Sequence, residues 1–140
     1  MASLTSKVIQ DLWILSESGI VLFSRVYNPK ISEQLFGALM TALNSFAGEL
    51  ASGGLTSFEL KSIRFTLIKT RTLIFVANSS KNIKEKHVID ELKRISDKFF
   101  ELYGDILETW DSDVSQFSGF EGQIEDSLEE TIKKLQKAFW

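Results

Sequence analysis

Catalytic chemistry in this chain would rest on very few side chains. His87 is the only histidine, and it follows Lys84-Glu85-Lys86, a charged run typical of a solvated helix start. A general base needs a partner that orients it and a pocket that holds substrate; the sequence offers neither beside His87. Asp111-Ser112-Asp113-Val114-Ser115 resembles the opening of a calcium loop. Counted from Asp111, however, the sixth position is Gln116 where the turn needs glycine, and the twelfth is Gly122 where a bidentate glutamate belongs. The stretch therefore reads as a chain break with aspartate helix caps. The sequence has no cysteine, which removes disulfides, thiolate metal sites and cysteine nucleophiles. Ser52-Gly53-Gly54 reads as a helix-to-strand turn, and no phosphate-loop, dinucleotide-binding or nucleophile-elbow pattern occurs. The expectation is a non-enzyme: no catalytic residue, no cofactor and no metal.

Charge narrows the choice further. The 140 residues carry a net charge of −3, which gives no basic field for nucleic acid. The distribution is uneven: from Glu101 onward ten acids face three lysines, whereas the first hundred residues hold nine acids and thirteen bases. Lys61, Arg64, Lys69 and Arg71 could line one basic strip, read first as a solvated sheet edge and second as a contact for anionic lipid or an acidic partner, the chain's own acidic tail included. No run approaches the eighteen apolar residues of a membrane span. Neither a leader nor a lipid anchor is expected, so the reading is cytoplasmic, with membrane association only through partners.

What remains is the scaffold. In "LWILSESGIVLFSR", two strand-like runs, Val8 to Ser16 and Ile20 to Tyr27, flank a turn in which Gly19 can take positive φ. Their nearly continuous apolar character predicts strands covered on both faces, or with one core face and one covered by a partner. Pro29 ends the second run and Ser32 can cap a helix. There Leu35, Phe36, Leu39, Met40, Leu43, Phe46, Ala47 and Leu50 form one broad apolar stripe. After Gly53-Gly54 come "LTSFEL", the alternating "IRFTLIK" and the apolar "LIFVAN", a meander whose last member reads as the central strand. A helix follows from about Ile83 through Val88, Leu92, Ile95, Phe99, Leu102 and Ile106, with Ser80 or Asn82 as cap and Gly104 as a weak point. A last helix, about 117–138, carries the apolar line Phe117, Phe120, Ile124, Leu128, Ile132 and Leu135, with Phe139 next in the same rhythm. The fold class is α+β: a five-stranded antiparallel sheet flanked by helices, order β-β-α-β-β-β-α-α, in one domain over 1–140 with its core at about 8–110.

This order, opened by a hairpin, resembles the longin domain of the longin/roadblock (SNARE-like) group. The hairpin, "IRFTLIK", "LIFVANSS" and "VIDELKRISDKFFELYGDILETW" carry the likeness, which extends over roughly Ile9 to Ile132. Roadblock domains are similar but begin with a helix, which the sequence pattern does not show here. The resemblance implies a non-catalytic module of membrane-trafficking and small-GTPase systems. It also implies a stand-alone longin protein of the kind found in archaea, rather than a complete SNARE. Its partners would be proteins, a small GTPase first among them, and pairing through the first helix and the neighbouring edge strand would give a homodimer.

The candidate interface residues follow from exposure arguments. Phe36 and Met40 lie beside the Leu35–Leu39–Leu43 line and could reach a second subunit. Arg64 and Arg71 would meet an acidic partner. Phe139 and Trp140, at the chain end, need apolar cover from this chain or another. A structural homodimeric scaffold and a ligand sensor of profilin- or PAS-like build are the alternatives.

Overall fold

The computed structural model describes residues 9–26, 33–50, 56–60, 62–110 and 113–124. Strands β1 (Asp11–Ser16), β2 (Val21–Arg25), β3 (Ser57–Leu60), β4 (Ile63–Thr70) and β5 (Leu73–Ser80) build one sheet in the order β2-β1-β5-β4-β3. All of its pairings are antiparallel. Helix α1 (Glu33–Leu50) follows the hairpin, and α2 (Glu85–Glu108) and a 3-10 segment, η1 (Val114–Gln123), follow the sheet. The element order, the hairpin and the central "LIFVAN" strand are those expected from sequence.

Side-chain alternation divides the strands between two cores. Leu12, Ile14, Leu73, Phe75 and Ala77 join Val88, Leu92, Ile95 and Phe99 of α2 on one face. Trp13, Leu15, Ile74 and Val76 join Phe36 and Met40 of α1 on the other. A continuous apolar run is what a strand buried on both sides requires. In β2 the alternation breaks for a local reason. Ile14 pairs with Phe23 and Leu15 with Val21, so Leu22 is an extra residue in a bulge. The bulge sends Leu22 and Phe23 into the same core, whereas strict pleating would separate them.

The opening turn fixes α1. Ser16 O accepts from Gly19 N at 3.0 Å, and Ser16 Oγ accepts from Ile20 N at 3.0 Å. Gly19 has φ 94°, a conformation closed to most side chains. Its backbone lies directly on Gly37 of α1: a Cβ built on Gly37 would collide with Gly19 O and sit 3.0 Å from Val21 Cγ2. Two glycines thus let a turn and a helix touch backbone to backbone, which sets the roll of α1 about its axis.

Helix α2 runs through Gly104 to Glu108 without a break. Phe99 and Tyr103 hold it there, packed on each other at 5.0 Å and on the Phe117 and Phe120 rings. The expected caps Ser80 and Asn82 lie too early. Lys84 takes the N-cap position with no side-chain bond, and Ser80 Oγ accepts from Asn82 N at 3.2 Å instead.

The last helix is the main departure in the fold. Its first part is η1, a 3-10 segment, with Phe117 and Phe120 fully buried. Their three-residue spacing suits three residues per turn, which stacks both rings on one side. Ser115, Ser118, Gly119 and Gly122 also lower α-helix propensity, and Ser118 Oγ donates to Ser115 O at 3.0 Å. The remainder of the expected helix, with Phe139 and Trp140, lies outside the described residues.

A candidate protein-interaction surface

Four of the six expected interface residues fall within the described chain, and each makes a contact inside it, although Arg71 stays exposed. Phe36 and Met40 are 5% and 2% exposed, which corrects the expectation that they face a second subunit. Phe36 stacks on Trp13 with ring centroids 4.1 Å apart, and Phe65 lies beyond at 6.2 Å. The reason is the Gly19–Gly37 contact. It turns the row Phe36, Gly37, Met40 inward, and the row Leu35, Leu39, Leu43 outward.

Arg64 is a tie rather than a free cation. Its Nη1 donates to Ile83 O at 2.8 Å and its Nη2 to Lys81 O at 3.1 Å, while Nε stands 3.6 Å from Glu59 Oε1. It thereby links β4 to β3 and to the lead-in of α2. Arg71 sits in the β4–β5 turn with φ 56°, and its guanidinium carbon lies 4.5 Å from the centre of the Phe100 ring on α2. A basic strip of free cations is therefore not what β4 presents.

The other chemical candidates resolve locally. His87 is exposed on the first turn of α2. Asp113 caps η1: its Oδ1 accepts from Ser115 N at 3.0 Å and from Ser115 Oγ at 2.6 Å. Those hydrogen bonds, the hydroxyl first, hold its carboxyl below the usual 3.8. Among the described residues, no cluster of histidines and carboxylates could hold a metal ion, and no helix is long and apolar enough to cross a membrane.

What the structure does present is an apolar surface on one flank of the broad stripe of α1. Leu35, Leu39, Leu43 and Leu50 of α1 are 59%, 48%, 37% and 74% exposed. The segment between Glu33 and Glu49 carries no charge at all. Helical spacing sets these leucines on the Phe36 flank of α1, away from the Gly37 flank that touches the hairpin. Phe36 reaches Phe65 of β4, and Phe65 stacks on Phe58 of β3 at 4.9 Å and nearly parallel. The leucine row therefore leans over the β4–β3 half of the sheet.

That half ends in an open strand. β2, at the opposite edge, is covered by η1 through the Phe23–Phe120 contact and the 3.0 Å Arg25–Glu121 ion pair. Among the described elements nothing pairs with the outer side of β3, where Leu60 is 59% exposed. An uncovered strand edge offers a row of backbone donors and acceptors to another chain. An apolar helix flank beside it offers area. No single motif announces this surface. The small residues Gly37 and Thr41, which mark the face of α1 turned to the hairpin, are the signal that could have shown which way the helix rolls.

Comparison with known proteins agrees with this architecture. The sequence profile of the first longin domain of FUZ, MON1 and HPS1 matches residues 10–108. Among solved structures, MglB from Myxococcus xanthus superposes with a TM-score of 0.56 at 12% identity, over 69% of this chain and 85% of that one. The Roadblock/LC7 domain from Streptomyces avermitilis gives 0.52 at 18% identity, over 71% of this chain and 94% of that one. At these identities the likeness is one of fold. No curated protein matches the sequence.

Proposed function

This chain belongs to the family of first longin domains of FUZ, MON1 and HPS1, and from that premise we propose that it is a non-catalytic interaction module. Its working surface is the leucine flank of α1 together with the open edge of β3. The occupant is a second longin-type domain, in the simplest case a second copy of this chain. The exposed, charge-free leucine row beside an unpaired strand carries this reading. A twofold pairing of such a surface puts no like charges face to face across the leucines. In longin-type systems a paired domain of this kind serves small GTPases and trafficking complexes. A small GTPase is therefore the partner assigned to the assembled pair, and cytoplasm is the compartment.

The test of the GTPase assignment is affinity capture with the full chain. Small GTPases of the source cell are loaded with GDP or a non-hydrolysable GTP analogue and passed over wild-type protein and Leu39→Asp. Retention that depends on the nucleotide and falls in Leu39→Asp supports the reading. Failure to retain any of them in either nucleotide state removes the GTPase and leaves a self-assembling scaffold.

A further inference from the structure

The open edge of β3 has a fixed pattern of backbone groups, and that pattern limits how another strand can join it. In an antiparallel ladder, residue pairs that exchange both backbone hydrogen bonds alternate with pairs that exchange none. Leu67 N donates to Thr56 O at 2.8 Å, and the same register continues through Phe58 opposite Phe65 and Leu60 opposite Ile63. Phe58 and Leu60, two and four positions on from Thr56, therefore turn their N–H and C=O inward to β4. Ser57 and Glu59 turn theirs outward, to the side where no described strand lies. The side chains sort by face in the same alternation. Phe58 stacks on Phe65, in the line that leads to Phe36 and Trp13, so Phe58 and Leu60 lie on the α1 side of the sheet. Glu59 lies on the other face, with Oε1 3.6 Å from Arg64 Nε.

A twofold axis perpendicular to the sheet keeps the leucine flanks of two copies on one side and runs their β3 strands antiparallel. Only outward-turned residues can exchange hydrogen bonds across that edge, so the axis must pass near Ser57, Phe58 or Glu59. An axis at Glu59 sets two carboxylates directly opposite each other, which is destabilising. An axis at Ser57 overlaps the two strands (Ser57–Leu60) at Ser57 alone.

We infer that β3 pairs with β3 of a second copy about an axis at Phe58. Ser57 of each chain exchanges both backbone hydrogen bonds with Glu59 of the other. The two Phe58 residues meet on the axis as a non-hydrogen-bonded pair, with Cα atoms about 4.5 Å apart. The aromatic row Trp13, Phe36, Phe65, Phe58 then runs through the axis into its copy. Leu60, 59% exposed in the single chain, comes to lie diagonally beside the other chain's Phe58. This inference rests on the pairing surface proposed above and assigns its register.

The absence of native cysteine lets single variants report the register, because only the residue on the axis faces itself. Ser57→Cys, Phe58→Cys and Glu59→Cys are oxidised at a concentration where light scattering finds the wild-type chain paired, and reducible dimer is measured on denaturing gels. Circular dichroism checks that each variant folds. The expected result is a severalfold higher yield from Phe58→Cys than from either neighbour. A second arm leaves the Phe58 ring in place: an equal mixture of Ser57→Cys and Glu59→Cys should cross-link severalfold better than either alone. Cross-linking in this mixture supports the register even where Phe58→Cys, having lost the ring pair, gives little. Ser57→Cys or Glu59→Cys cross-linking best by itself would overturn the inference while the pairing surface stands. So would a paired wild-type chain with no cross-link in either arm. A wild-type chain that is monomeric at every concentration would remove the pairing surface and the register together.

Discussion

Adding a single methyl group at Gly37 tests whether the hairpin turn sets the roll of α1. Alanine is the better helix former by about 1 kcal/mol, so propensity alone predicts that Gly37→Ala stabilises. The structure predicts the reverse. The new Cβ would collide with the backbone oxygen of Gly19 and meet Val21 Cγ2 at 3.0 Å, and a carbonyl cannot rotate aside as a side chain can. The helix must lift from the turn, at the ~1–3 kcal/mol typical of overpacking. Lifting also loosens the Trp13–Phe36 stack, a contact worth about 0.5–1.5 kcal/mol. The net expectation is a loss of about 1–2 kcal/mol.

Gly48 supplies the matched control, because a Cβ there meets nothing within 4 Å. Near the helix end, Gly48→Ala should gain about 0.5 kcal/mol. Urea denaturation followed by tryptophan fluorescence reads both variants, since Trp13 lies in the affected stack. If Gly37→Ala proves as stable as Gly48→Ala, the turn does not hold the helix. The account of why the leucines face outward then fails with it.

Other substitutions probe the remaining ties. Arg71→Gly and Arg71→Ala both remove the stack on Phe100, but only glycine relieves the left-handed backbone at φ 56°. Denaturation should therefore show the glycine variant ahead by about 0.5–1 kcal/mol. Thr66 Oγ1 is buried with no hydrogen-bond partner, so Thr66→Val should stabilise, by about 1 kcal/mol, when measured by chemical denaturation. The Asp113 carboxyl is held below its ordinary value by Ser115. Its cap therefore contributes fully above about pH 3.8 and is lost as pH falls through the depressed value. The acid limb of a stability–pH profile should accordingly flatten in Asp113→Ala.

Much of the fold is legible in the sequence because both of its signals are local. The hairpin turn needs Gly19, and a strand buried on both sides must be apolar at nearly every position, as "LIFVAN" is. The roll of α1 was hidden for the opposite reason. Its apolar stripe is wide enough that hydrophobicity alone fits two orientations, and the choice is made by contact with Gly19, eighteen residues away in sequence. Phe36, expected at a second subunit, is therefore buried, and Leu39 is the residue left exposed. The internal contacts of Arg64 and Arg71 were hidden for a similar reason. A cation on an alternating strand looks solvated until the carbonyls of Lys81 and Ile83, or the ring of Phe100, come within reach. The short turns around Phe117 were missed because spacings of three fit both an α-helix and a 3-10 helix, and the serines and glycines between the rings decide in favour of the latter.

The central claim is that the leucine flank of α1 and the edge of β3 form a pairing surface, and the molar mass in solution tests it most directly. Light scattering behind size exclusion would be run over a tenfold range of concentration on wild-type protein, Leu39→Asp and Gly48→Ala. The account predicts wild type and Gly48→Ala at twice the 15.9 kDa chain mass. It predicts Leu39→Asp at the single-chain mass with an unchanged circular-dichroism spectrum, because Leu39 is already half in water. A wild-type chain that stays monomeric throughout, or a Leu39→Asp variant that still pairs, would contradict it.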